Sequence, residues 1–272
     1  MEWAVSKSDI LGRYTVRDLP GTRFFSIDML AIGVRKHHVM GLVEVDVTDA
    51  MKTLARRKES GEPVTLTAWA TRCISQVAAE QPEAHAVRKR NRLFVFDDVD
   101  LTVMVEGELG GKRVPRPYLL RKANEKTLSQ INEELSGSKK TRDEGLVLGN
   151  ERAARMAKLY LRMPRVLGRT FWRVLSNSPS LTKKMTGTVL VTSLGMFGNV
   201  SAWALPITTL PLCFALGSVT RKPGMVGDSI EARDFLHLTI MFDHDVVDGA
   251  PAARFTARLA ELMESAFELV DT

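Results

Sequence analysis

The sequence predicts a single α/β domain in which helices flank a mixed β-sheet. Strand-like alternation and helical periodicity are interspersed along the 272 residues, with no strict β-α-β repeat and no glycine-rich phosphate loop. Hydrophobic residues make up 44% of the chain and charged residues 26%, as in ordinary globular proteins. Since no internal repeat or low-complexity linker divides the chain, we expect residues 1–272 to form one domain.

Apolar periodicity assigns the elements of this domain. The predicted strands are residues 43–47, 92–96, 99–105, 187–193, 211–219 and 235–242. The predicted helices are residues 48–60, 66–81, 124–135, 151–175 with a kink or break at Pro164, and 250–270. Residues 107–117, GELGGKRVPRP, are expected to form a loop because glycine and proline interrupt regular structure.

Side-chain patterns refine two of these elements. Thr48 or Asp49 is the candidate cap of the first helix, and Asn124 is the candidate cap of the helix that follows the loop. In the last strand four apolar residues alternate and are expected to face the core: Leu236, Leu238, Ile240 and Phe242.

Composition also limits the compartment. No apolar run approaches the roughly 18 residues that a membrane span needs. The N-terminus lacks the basic start and apolar core of a signal peptide, so we expect a cytoplasmic protein. Cys73 and Cys213 lie in apolar segments and are expected to be buried, inert thiols, and no residue spacing suggests a metal site.

Basic charge is concentrated in one block, residues 146–187. The block has nine lysines and arginines and one acid, Glu151, for a net charge of +8, whereas the whole chain carries +6. The rest of the chain is therefore slightly acidic, at −2. Because a nucleic-acid-binding domain is usually basic over a whole face and carries a recognition motif, we expect no nucleic-acid partner.

The candidate catalytic residue is His244, in the stretch MFDHDVVDGAPAARF. This histidine ends a predicted strand, and a neutral imidazole can take a proton from a thiol or a hydroxyl. Asp248 is expected to brace the loop or the imidazole ring, while Gly249 lets the chain turn sharply into the last helix. The alternative is an exposed acidic turn that caps this helix.

Four segments, in the same order and spacing, resemble the catalytic domain of the 2-oxo acid dehydrogenase acyltransferases (dihydrolipoamide acyltransferases), which share the chloramphenicol acetyltransferase fold. They are VEVDVTDA, GTVLVTSLGMFG, FLHLTIMF and DHDVVDGAPAARF. The resemblance covers residues 25–270 and implies a mixed β-sheet flanked by helices, with residues 145–187 as a basic helical insertion. As a departure from the family, the sequence starts almost at the catalytic domain, so we expect no lipoyl domain, no covalently bound lipoyl group and no peripheral-subunit-binding domain.

The resemblance implies an acyltransferase that moves an acyl group between a coenzyme A (CoA) or carrier thioester and a thiol or other acceptor. In that family the histidine, here His244, is the general base, with Asp248 beside it. A strand-end hydroxyl, here Thr192, stabilises the oxyanion. Ser193 is a second candidate donor, and Ser193 and Gly195 are candidates for binding CoA. Members of the family are homotrimers, often built into cages, in which the histidine and the hydroxyl come from neighbouring subunits.

Two departures leave alternatives open. Asp245 stands where the family commonly has arginine, which leaves Asp243, Asp245 and Asp248 close together. Either the like charges raise the pKa of some of these acids, or another arginine compensates, with Arg23 and Arg35 as candidates. This change favours a second reading, a non-catalytic trimeric assembly or docking module.

The basic block leaves further alternatives. Arg162, Arg165, Arg169 and Arg173 recur every three or four residues among apolar side chains. This pattern fits a solvated helix packed on its own domain, a contact with an acidic carrier or with CoA, or an anionic membrane surface. Binding to an anionic membrane surface would fit a third function, a membrane-associated acyltransferase with a hydroxyl or amine acceptor.

Overall fold

The computed structural model describes residues 14–19, 21–109, 112–140, 160, 164–193 and 201–269. Its helices are α1 (Gly21–Gly33), α2 (Thr48–Glu59), α3 (Leu66–Glu80), α4 (Leu128–Lys140), α5 (Arg165–Ser176), α6 (Pro179–Thr186) and α7 (Gly249–Glu264). Its strands are β1 (His38–Asp46), β2 (Val87–Lys89), β3 (Arg92–Phe94), β4 (Leu101–Leu109), β5 (Lys112–Leu120), β6 (Val189–Ser193), β7 (Leu212–Val226) and β8 (Ser229–Asp243).

Six strands form one mixed sheet in the order β1-β8-β7-β6-β4-β5. Strand β6 runs parallel to both neighbours, β4 and β7, and the other pairs are antiparallel. Strands β2 and β3 pair as a separate two-stranded hairpin. The predicted mixed α/β fold is therefore confirmed.

The main core lies between the sheet and helices α2, α3, α4 and α7. The apolar face of α3 buries Trp69 and Ile74, and that of α7 buries Phe255 and Leu259, all in contact with one cluster that includes the four alternating residues of β8. Thr65 caps α3 by accepting a hydrogen bond from the backbone of Ala68 at 3.1 Å. This packing holds the second half of β8, which leads to Asp243.

The predicted loop at residues 107–117 is wrong. Strand β4 continues to Leu109, and residues 112–120 form β5, which pairs with β4 along its whole length. The two prolines, Pro115 and Pro117, are tolerated because β5 is the outer strand of the sheet and has a neighbour on one side only. The prolines in the sequence indicated a loop, but a strand is possible there because β5 lies at the edge of the sheet.

Both predicted helix caps are also wrong. At the start of α2 the side chain of Asp46 accepts hydrogen bonds from the backbone and hydroxyl of Thr48, at 2.9 and 2.6 Å. Asn124 lies in a short 3-10 turn and accepts from the backbone of Val99, while Thr127 accepts at 3.3 Å from the backbone of Gln130 at the start of α4. The contacts at the two helix starts are local, whereas Asn124 is engaged by Val99, 25 positions away in the sequence.

The second half of strand β8 is buried on both faces of the sheet, whereas the alternation of its apolar residues predicted burial of one face only. Between the predicted core residues, His237, Thr239 and Met241 are also buried. The segment after residue 200 covers this second face: the ring of Trp203 lies 4.2 Å from that of His237, centroid to centroid.

The described part of the basic block packs on its own domain. Helix α5 lies against α1, and Trp172 makes edge contacts with Phe25 and Phe171 in a small apolar cluster. Arg169 lies 3.6 Å from Asp28 of α1. Residues 151–159 and 161–163 of the predicted amphipathic helix fall outside the described residues. Among the helices that the structure does describe, none is both long and apolar enough to span a bilayer.

Candidate active site

His244 lies in the loop between β8 and α7, at the end of the sheet where β6 and β7 begin. Its backbone N–H donates to the carbonyl of His37 at 2.8 Å, and the following turn closes on the carbonyl of Asp243 through Val246 and Val247. The imidazole is 44% exposed. The loop therefore holds the backbone of His244 while leaving its ring accessible to a substrate.

The two acids beside His244 are paired with bases from elsewhere in the chain. Asp243 is buried and accepts from the Lys36 ammonium at 2.6 Å. Asp245 pairs with His37 Nδ1 at 3.0 Å and with Arg88 at 3.5 Å. The hydrogen bond from His37, together with the nearby charge of Arg88, lowers the pKa of Asp245 below its ordinary value.

The predicted compensation by Arg23 or Arg35 is therefore wrong: Lys36, His37 and Arg88 supply the positive side of these pairs. Sequence reasoning missed these three residues because they lie more than 150 positions from the acids. One signal was available, since residues 35–38 read RKHH directly before the first strand. Strand β1 pairs with β8, and this pairing brings the run to the His244 loop.

Asp248 lies beside His244 but does not hold its ring. Its carboxylate is 3.8 Å from His244 Nδ1, beyond hydrogen-bond distance, and is 87% exposed. Asp248 is the cap residue of α7 but makes no side-chain capping bond. Gly249 has no positive φ, so the left-handed conformation that favours glycine is not used at this position.

Thr192 and Ser193 end β6, half-buried, at the opposite end of the sheet from His244. The third candidate in this segment, Gly195, lies outside the described residues. In the sheet Val189 of β6 pairs with Leu212 of β7, which pairs with Phe242 of β8.

The register separates the two candidate catalytic side chains. Thr192 lies three residues beyond the row of Phe242 in one direction, and His244 lies two residues beyond it in the other. Five residue steps correspond to roughly 16 Å along the strands, to which two strand spacings of about 4.8 Å are added across the sheet. His244 and Thr192 of one subunit therefore cannot contact the same reacting atom.

The two cysteines lie outside this site and are buried. Burial raises the pKa of the Cys213 thiol to about 12 and also raises that of Cys73. Both thiols are therefore protonated at neutral pH and are poor nucleophiles, as predicted.

Residues 173–270 match the family model of the 2-oxoacid dehydrogenases acyltransferase (catalytic domain). This segment contains Thr192, His244 and Asp248. The resemblance that the four sequence segments predict is therefore confirmed.

Curated relatives are acyltransferase components of 2-oxoacid dehydrogenase complexes. The lipoamide acyltransferase component of the branched-chain alpha-keto acid dehydrogenase complex of Bacillus subtilis is 23% identical over 235 residues, which are 84% of this chain and 47% of that protein. The dihydrolipoyllysine-residue succinyltransferase component of 2-oxoglutarate dehydrogenase complex 1 of Arabidopsis thaliana is 23% identical over 228 residues, 81% of this chain and 41% of that protein. The chain thus spans less than half the length of these relatives.

Solved structures share the fold. A probable dihydrolipoamide acetyltransferase from Listeria monocytogenes superposes with a TM-score of 0.66 at 18% identity, covering 93% of this chain and 95% of that one. The cubic core of the pyruvate dehydrogenase multienzyme complex superposes with a TM-score of 0.65 at 17% identity, covering 98% of both chains. The sheet and helices described above are thus those of the acyltransferase cores.

Proposed function

Because residues 173–270 match the catalytic domain of the 2-oxoacid dehydrogenase acyltransferase family, we propose that this protein is an acyltransferase. It moves an acyl group between a CoA thioester and a thiol acceptor, with His244 as the general base and Thr192 as the oxyanion donor. The observation that carries the proposal is the His244 loop: a fixed backbone, an accessible imidazole and flanking acids that are already paired.

His244 performs the proton transfers. Its free ring nitrogen takes the proton of the acceptor thiol, and the resulting thiolate attacks the acyl carbonyl to form a new C–S bond. When the tetrahedral intermediate collapses, the C–S bond to the leaving thiol breaks and the imidazolium returns the proton to that sulfur. Protons and charges balance, and the base is regenerated.

Thr192 stabilises the oxyanion from a neighbouring subunit. A single oriented hydroxyl aimed at developing charge supplies a few kcal/mol of barrier lowering, on the order of 2–4. Since roughly 16 Å of sheet separates Thr192 from His244 within one chain, the complete site needs two copies. The proposal therefore includes a homotrimer, in which each interface joins the His244 loop of one copy to the β6 end of the next.

The outer strand β1 offers a surface for this assembly. Its exposed apolar side chains include Val39, Met40 and Leu42. The nearby segment after residue 200 adds Leu205 and Ile207, which are also exposed. Exposed apolar side chains on an unpaired sheet edge favour contact with another protein surface.

A thiol-release assay over a panel of acyl-CoAs tests the chemistry. We expect His244→Ala to lower the rate about a hundredfold or more, because a positioned base contributes at least that factor. Thr192→Ala is expected to cost a similar factor, and Ser193→Ala is its matched control. A larger loss in Ser193→Ala would assign the hydroxyl to Ser193, and an unchanged rate in His244→Ala would refute the mechanism.

Mixing the two inactive variants tests the shared site. Co-assembled His244→Ala and Thr192→Ala chains restore activity at about a quarter of the interfaces, where an intact histidine meets an intact threonine. If both residues acted within one chain, the mixture would stay as inactive as its components.

A further inference from the structure

A basic cavity lies behind the His244 loop, where the ends of α1 and α5 approach strand β2. It encloses about 210 Å³ and is lined by Arg35, Arg88, Arg173 and Ser176, among others. Asp243 and Asp245 also line it, whereas His244 between them does not. The cavity is thus connected to the proposed active site through the loop but is separate from the reacting imidazole.

Two of its arginines have no counter-charge. Lys36 and Arg88, which also line the cavity, are paired with Asp243 and Asp245. Arg35 and Arg173 make no ion pair with any residue that the structure describes. Both also line an adjoining cavity of about 270 Å³, so their side chains stand between two open spaces. The cavity therefore has two unneutralised positive charges directed at one region.

A buried hydroxyl adds to this arrangement. Ser176 is only 7% exposed, and its Oγ has no hydrogen-bond partner within the described part of the chain. A buried polar atom without a partner is unfavourable, and ordinary helical serines avoid this by bonding to the preceding turn. Ser176 is the last residue of α5 and lies one turn from Arg173, and both residues line the cavity.

We propose that this cavity is a binding site for a phosphate group. A phosphate dianion has enough oxygens to accept hydrogen bonds from two arginines and a hydroxyl together, and the planar guanidinium matches its geometry. A single carboxylate has only two oxygens and one charge, which satisfies this set less completely. The ligand is inorganic phosphate or the terminal phosphomonoester of a substrate such as CoA; only the second source depends on the proposed function.

Calorimetric titration of inorganic phosphate tests the site directly. The wild-type protein is compared with Arg35→Gln/Arg173→Gln, Ser176→Ala and a matched control, Arg221→Gln, which removes an exposed arginine outside the cavity. We expect the double variant to bind phosphate about tenfold or more weakly, because each arginine contributes a charge-assisted bond. Ser176→Ala weakens binding by a smaller factor, and the control binds as the wild type.

The same affinity in the wild type and the double variant would overturn the proposal, as would an absence of binding up to about 10 mM phosphate. Since Arg35 and Arg173 are exposed, their substitution is expected to preserve the fold, which circular dichroism verifies. The measurement requires no turnover, so His244→Ala, in which catalysis fails, must still bind phosphate normally.

Titrations with CoA and dephospho-CoA separate the two sources. If the site takes the phosphomonoester of CoA, the wild type prefers CoA and the double variant binds both compounds equally. If it takes free phosphate, CoA binding is the same in both proteins and phosphate does not compete with it. Loss of phosphate binding in the double variant supports the site in either case.

Discussion

Asp245 shows how one residue can depart from the pattern of the family that this chain resembles and still be accommodated. The family's arginine at this position would bring a positive charge into the loop. Here the residue is an acid, and His37 and Arg88 pair with it. Because these pairs accommodate the acid, the departure gives no structural reason to regard the site as inactive.

At pH 7 we expect Asp245→Asn to lower the free energy of unfolding by at most about 1 kcal/mol, because its partners are largely exposed. The pKa of Asp245 is lowered in the folded state, so its contribution is present above the ordinary carboxyl pKa of about 4. This contribution disappears as the pH falls through the lowered folded value. Urea unfolding at pH 7 and at about pH 3 measures the change.

Asp248→Asn is the control for this experiment. Asp248 lies three positions along the same loop, but its exposed carboxylate makes no hydrogen bond with any residue that the structure describes. Its substitution is expected to leave the unfolding free energy unchanged at both pH values. A pH-independent effect of Asp245→Asn would show that the ion pairs of Asp245 do not contribute to stability.

At the scale of elements, the entry into β6 is the most constrained connection near the site. Gly187 joins α6 to β6 with φ of 69°, and a Cβ there would lie 2.3 Å from the carbonyl oxygen of Asp100. The next residue, Thr188, donates its backbone N–H to that same carbonyl at 3.0 Å. This contact aligns β6 with β4 and so positions the strand that ends in Thr192.

We expect Gly187→Ala to destabilise the protein by at least about 2 kcal/mol, because it combines a left-handed backbone with a backbone clash. Gly137→Ala is the matched control: Gly137 lies within α4 with open space around its Cα, so alanine there gains about 0.5–1 kcal/mol. Urea denaturation compares both variants with the wild type. Equal stability of the two variants would contradict the role given to Gly187.

For the whole molecule, the two halves of the proposed site lie at opposite ends of one sheet. A single copy therefore presents a base without an oxyanion donor at one end and a donor without a base at the other. In the proposed trimer, one neighbour completes the first of these half-sites and the other neighbour completes the second. The exposed apolar side chains of β1, Val39, Met40 and Leu42, form the described surface that best fits such a contact. Strand β1 lies at the edge of the sheet next to β8, and β8 leads into the His244 loop.

Leu42→Glu is expected to dissociate the proposed trimer and reduce acyl transfer in parallel, because it places a charge on the apolar surface proposed for the contact. Leu42 is 51% exposed in the isolated chain, so the subunit itself should remain folded. Sedimentation velocity measures the assembly and circular dichroism the fold. Leu93→Glu, at an exposed position on the separate β2–β3 hairpin, is the control. A fully assembled Leu42→Glu protein would exclude β1 from the interface.

The sequence by itself determined the local parts of this protein. Apolar alternation and helical periodicity placed most of the strands and helices, because those patterns depend on neighbours within a few residues. The signatures around Thr192 and His244 identified the family for the same reason, since each is a short contiguous segment.

Only the tertiary structure decided what depends on distant segments. Strand order made β5 an edge strand that tolerates Pro115 and Pro117. Pairing of β1 with β8 supplied Lys36 and His37 to the acids beside His244. The sheet register placed His244 and Thr192 at opposite ends, so the proposed site lies between subunits. These outcomes follow from long-range pairing, which a pattern of nearby residues does not encode.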